Sequence, residues 1–145
     1  MYIKQISVFL ENRCGRLAEA TKILKEYNIN ISAMSIAETT DYGVLRLIVN
    51  KPNEACQALR HNGFTVKETD IIAIMIDDAP GGLYAILNTL EKASVSVEYI
   101  YAFAGKRCDE DKALTAFKVE DNDKAIAALQ KAGITVAKTQ EIYNI

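Results

Sequence analysis

The chain has 145 residues, 17 Lys and Arg against 19 Asp and Glu, a net charge of −2, and half its residues are hydrophobic. That balance gives no electrostatic footing for nucleic acid or an anionic membrane, and the apolar run over 71–76 is far short of the ~20 residues a spanning helix needs. Cys14, Cys56 and Cys108, with no CxxC spacing, exclude a disulfide framework or zinc site and suit a reducing cytoplasm.

In chain order, residues 3–10 alternate and are β-prone, which predicts a strand. Leu17, Ala20, Leu24 and Tyr27 recur at helical spacing, and Asn28 stands where that helix should stop. A second strand is predicted over 29–37, a turn at Asp41-Tyr42-Gly43, and a third strand over 44–49. Pro52 fits the first helical position of a helix reaching His61, with Gly63 as its stop. Thr65 and Val66 begin a short last strand. The series then restarts: a strand near Ile72, a helix with Leu83, Ile86, Leu87, Leu90 and Ala93, a stop at Ser94, and a strand over 95–104. A longer polar hairpin loop follows over 105–112, then a third strand, a helix over 122–132, Gly133, and a last strand at Thr135 and Val136.

The restart is a duplication. Shifted by 66 positions, Ile6, Gly15, Leu17 and Leu24 fall on Ile72, Gly81, Leu83 and Leu90. After one break in register, a shift of 70 takes Val49, Ala58, Leu59, Gly63 and Val66 to Val119, Ala128, Leu129, Gly133 and Val136. The expectation is two domains, 1–70 and 71–145, each a βαββαβ unit. Its right-handed crossovers give an α+β ferredoxin-like fold, an antiparallel sheet with both helices on one face. Several strands are apolar on both parities. Ile71, Ala73 and Met75 alternate with Ile72, Ile74 and Ile76, while Val97, Tyr99, Tyr101 and Phe103 are expected on one face of their strand. The helix-free face should therefore pack on something, the other repeat or a second chain.

The functional signal lies between the first strand and first helix of each copy. The second copy reads Asp77-Asp78-Ala79-Pro80-Gly81-Gly82-Leu83, the first Glu11-Asn12-Arg13-Cys14-Gly15-Arg16-Leu17. This D/N-x-P-G-x-L pattern in a strand–loop–helix context resembles the ACT domain, a family of amino-acid-binding regulatory modules, over the whole chain and twice. Glycine admits close approach and positive φ, proline gives up a donor the first helical turn cannot use, and the helix N-terminus can receive a carboxylate. The side chains of Asn12 and Asp78 can cap the helix or meet an ammonium group. The resemblance implies a ligand at a domain interface, near this loop and the start of the second strand. By position it implicates Asn12, Cys14, Gly15, Leu17, Asn28, Ile29 and Asn30 in the first copy, and Asp78, Pro80, Gly81, Leu83, Ser94, Val95 and Ser96 in the second. Cys14 replaces the family's proline, so if one copy senses, the second is favoured. The same loop also reads as a structural turn and helix cap.

Other residues give little chemistry. Cys14 near a helix start has no histidine beside it, and His61 is a lone surface histidine, so neither nucleophilic catalysis nor metal binding follows. Asp77 and Asp78 are adjacent and point to opposite faces, a poor acid–base pair. The aromatics near Tyr99 and Tyr101 lack the basic surround of an RNA-binding sheet, and Arg13 and Arg16 around one glycine do not make a phosphate loop. The expected function is a freestanding, non-enzymatic tandem regulatory protein, cytoplasmic and homo-oligomeric. It would bind a small-molecule ligand, an amino acid, with no cofactor, metal, nucleic acid or membrane. The alternative is a non-sensing dimerisation module of the same fold.

Overall fold

The computed structural model describes residues 1–38, 41–104 and 111–144. Its elements run β1 (Ile3–Glu11), α1 (Arg16–Glu26), β2 (Ile31–Glu38), β3 (Tyr42–Val49), α2 (Pro52–His61), β4 (Thr65–Asp77), α3 (Gly82–Lys92), β5 (Val97–Ala102), β6 (Lys112–Val119), α4 (Asn122–Lys131) and α5 (Thr139–Tyr143). These are two βαββαβ-like repeats of the expected ferredoxin-like α+β class. The chain divides into two compact units, Lys4–Thr69 with the chain end from Tyr143, and Asp70–Ile142 with Met1–Ile3. They are called the first and second repeat.

In the first repeat β1 and β2 both pair antiparallel with β3, with Ile6 opposite Leu47 and Met34 opposite Leu47 on its other side. One sheet face carries Ile6, Val8, Leu10, Leu45, Leu47 and Val49, which pack with Ala20, Ile23 and Leu24 of α1 and Ala55, Cys56 and Leu59 of α2. The helices' apolar stripes and this strand parity meet, as amphipathic elements must to leave water. The second repeat repeats the scheme: β4 and β5 pair with β6, and Ile72, Ile74, Ile76, Phe117 and Val119 pack with Ile86 and Leu90 of α3 and Ala125 and Leu129 of α4.

Helix ends follow the expected punctuation. Asn28 and Ser94 adopt left-handed backbone, φ 53° and 56°, and the next amides, Ile29 and Val95, donate five residues back to Leu24 and Leu90. Gly63 and Gly133 do the same for α2 and α4, with Phe64 and Ile134 donating to Leu59 and Leu129. These are Schellman-type closures that satisfy the last carbonyls.

Several expectations change. The short strand at Thr65–Val66 and the strand near Ile72 are one uninterrupted strand, β4. The last strand of the second repeat shrinks to an isolated bridge between Val136 and Ile74, followed by the unforeseen α5. A bulge between Val97 and Tyr99 breaks the parity of β5. Val97 therefore joins the helix-side core with Ile100, while Tyr99 and Tyr101 stack at 6.4 Å opposite Lys118 and Ala116. Of the turn expected at Asp41-Tyr42-Gly43, Tyr42 and Gly43 instead open β3, paired with Glu11 and Leu10, and the 105–112 loop with Cys108 lies largely outside the described residues.

Candidate functional site

Each strand-to-helix loop is shaped by one left-handed glycine. Gly15 (φ 86°) and Gly81 (φ 88°) stand as the N-caps of α1 and α3, conformations that cost a Cβ-bearing residue about 1–2 kcal/mol. Neither helix has a side-chain cap, whereas α4 is capped by Asp121 accepting from the Lys124 amide at 3.0 Å. In α3 the Gly82 amide donates to the Ala79 carbonyl and the Ala85 amide to Gly81. The N–H groups between them, at Leu83 and Tyr84, lie in the first turn, where a helix has no partners of its own to offer. They carry the positive end of the helix dipole.

In both repeats the loop faces a depression bounded by the end of the second strand. In the second repeat it holds about 540 Å³ and is lined by Asp77, Asp78, Ala79, Pro80 and Leu83 from the loop and Ile100, Ala102, Ala113 and Thr115 from β5 and β6. Asp77 is engaged by the Lys112 ammonium at 2.7 Å, and Asp78 is exposed. In the first repeat it holds about 110 Å³ and is lined by Asn12, Arg13, Arg16 and Leu17 with Ile36, Glu38 and Tyr42.

Of the residues singled out from sequence, Asn12 and Leu17 border the first depression and Asp78, Pro80 and Leu83 the second. Gly15 and Gly81 shape the loops without lining them, and Cys14 is exposed on its loop outside the lining. Asn28, Ile29 and Asn30, and Ser94, Val95 and Ser96, lie at the opposite ends of α1 and α3, helices about 16 Å long. Within one repeat the two groups are not brought together. Ile29 and Val95 are core residues, 7% and 5% exposed. Asn28 and Ser94 close the helices, and the Asn30 and Ser96 amides donate to Asn50 Oδ1 and Glu120 Oε1 at 3.0 Å.

Sequence reasoning missed Ile100, Ala102, Ala113 and Thr115. The signal was topological. The second strand runs parallel to the first because both pair antiparallel with the third, so it is the end of the second strand that meets the loop. Among the described residues, no group of three or more His, Cys, Asp or Glu side chains could hold a metal ion, and no helix is long and apolar enough to cross a membrane.

Two repeats of this kind, each with a strand-to-helix loop over a depression, define a pair of small ferredoxin-like domains. The chain belongs to the ACT domain pair family, whose model matches residues 1–143. It is similar to protein BT0572 of Bacteroides thetaiotaomicron, with 38% identity and a TM-score of 0.92 over 100% of this chain and 98% of that one. It shares its fold with the ligand-free regulatory subunit of aspartate kinase from Thermus thermophilus, at 17% identity and a TM-score of 0.66 over 89% of this chain and 91% of that one. The fold likeness extends to aspartate kinase from Synechocystis, at 19% identity and a TM-score of 0.60 over 94% of this chain and 26% of that one. No curated protein matches the chain.

Proposed function

We propose that the chain senses a small amino acid at the loop of its second repeat and passes occupancy on through conformation or assembly. The observation that supports this most is one depression of about 540 Å³ that offers an acid, an uncapped helix N-terminus and apolar walls together. The ligand ammonium is assigned to Asp78, its carboxylate to the amides of Leu83 and Tyr84, and its side chain to Ile100, Ala102 and Ala113. Each contact uses one end of an amino acid's own chemistry. Asn30 and Ser96, with Asn28 and Ser94, enter such a site only from another domain across an interface, since a helix length separates them from their own loop.

No catalytic step, metal or cofactor is part of this reading, and the setting is a cytoplasmic homo-oligomer. Ligand that binds unequally to two states shifts their balance by its differential affinity, so regulation needs nothing more. The test is calorimetry of the full chain with each of the twenty amino acids. Heat of binding with at least one, lost in Asp78→Ala, supports the proposal, and no heat with any of them removes it.

A second reading, a non-sensing assembly module, draws on Met34 and Ile36. They are 44% and 41% exposed on the helix side of β2, a strand with β3 as its neighbour. Its mark would be a stable dimer whose melting temperature no amino acid raises.

A further inference from the structure

On the middle strand of the second repeat, Thr115 stands at a position that packing alone would give to an apolar residue. It lies between Ile74 of β4 and Ala102 of β5, on the sheet face that α3 and α4 cover. The residue is only 8% exposed, and it lines the depression under the Asp78 loop. Among the described residues its Oγ1 forms no hydrogen bond. A buried hydroxyl without a partner works against folding, and valine has nearly the same shape without the polar atom. The hydroxyl therefore adds nothing to the fold and is left to face whatever fills the depression.

The first repeat lacks this feature. Under the 70-residue shift Thr115 falls on Leu45, which is fully buried in the core and outside the lining of the first depression. Under the 66-residue shift Ala102 falls on Ile36, the cross-strand partner of Leu45. A small residue beside a hydroxyl in one repeat is thus two large aliphatic residues in the other, where the depression holds about 110 Å³ against about 540 Å³. The lining around Thr115 is otherwise apolar, with Ile76, Ile100 and Ala113, and both acids belong to the loop. A charged ligand side chain would lie there without a counter-ion, and an aliphatic one would strand the Thr115 hydroxyl away from water. An uncharged group that hydrogen-bonds avoids both costs.

We infer that Thr115 selects the ligand of the second repeat, an amino acid whose short, uncharged side chain ends in a hydroxyl or amide that meets Thr115 Oγ1. A hydroxyl both donates and accepts, so it serves either kind of group. This rests on the sensing function proposed above. It deepens that function by naming the side-chain class and the residue that reads it.

Calorimetry of the full chain with amino acids matched in shape tests it: serine against alanine, threonine against valine, and asparagine against leucine. In wild type the polar member of at least one pair should bind about tenfold or more tighter than its apolar counterpart. Thr115→Val should weaken that polar ligand about tenfold and its apolar counterpart not at all, while Thr115→Ser should keep the preference. Equal affinities within every pair, tightest binding by an amino acid outside this class, or a Thr115→Val that weakens both members alike would overturn the role of Thr115 and leave the sensing proposal standing. If none of the twenty amino acids binds wild type, both fall. A second measurement needs no ligand. Thr115→Val alone should melt no lower than wild type, because no protein group holds the hydroxyl; a lower melting temperature would show that the fold itself uses it and would overturn the assignment.

Discussion

At Gly82 the second loop comes so close to the strand end that a Cβ would land on the Asp77 carbonyl oxygen and within 3.2 Å of Ile76 Cγ2. Its neighbour Gly81 has open space around it and needs only its positive φ. Gly82→Ala should therefore cost about 2 kcal/mol or more, because backbone must move, and Gly81→Ala about 1 kcal/mol. Urea unfolding midpoints of the two variants check that order. Cys14 is exposed and Cys56 is 2% exposed in the core, its thiol 3.5 Å from Glu68 Oε1. Burial, and then the Glu68 charge, raise the Cys56 pKa from 9.0 to about 11. The folded state thus keeps a proton that the unfolded chain loses near pH 9.0. Stability should be undiminished below that pH and fall as pH rises toward about 11, with a slope of up to about 1.4 kcal/mol per pH unit. Denaturation as a function of pH should show the fall in wild type and a shallower one in Cys56→Ala.

At the scale of the elements, the helix closures separate what composition shows from what packing decides. Ser94 holds left-handed backbone that serine tolerates poorly, while Asn28 does the same job with a residue better suited to it. Ser94→Gly should stabilise the second repeat by about 0.5 kcal/mol and Asn28→Gly by less, measured as shifts in thermal midpoint. Such terminators were legible in the sequence because they act within a few residues, as were the helix stripes and the duplication. The course of β4 was not legible, since nothing in Lys67-Glu68-Thr69-Asp70 looks like a strand until its neighbours are in place. The bulge at Val97 was hidden too, because an inserted residue flips parity without changing composition. The site was half legible. Its loop announced itself as a motif, while Ile100, Ala102 and Ala113 reached it through strand direction, a property no single residue carries.

For the whole molecule, duplication produced two similar frames with different contents. The first repeat seats Arg16 on Glu19 and Phe64 beside its loop, whereas in the second Gly82 lets the loop close against the Asp77 carbonyl. Binding to the folded state alone stabilises it, by about 2.7 kcal/mol at a hundredfold excess over Kd. For a chain of this size that is a rise of roughly 5–10 °C in Tm. Sensing by the second repeat is therefore tested most directly by a thermal-shift series with each of the twenty amino acids on wild type and Asp78→Ala. The expected result is a rise of this order with at least one small amino acid on wild type, and none on the folded variant. A wild-type Tm that no amino acid moves, or a rise that persists undiminished in Asp78→Ala, would contradict it.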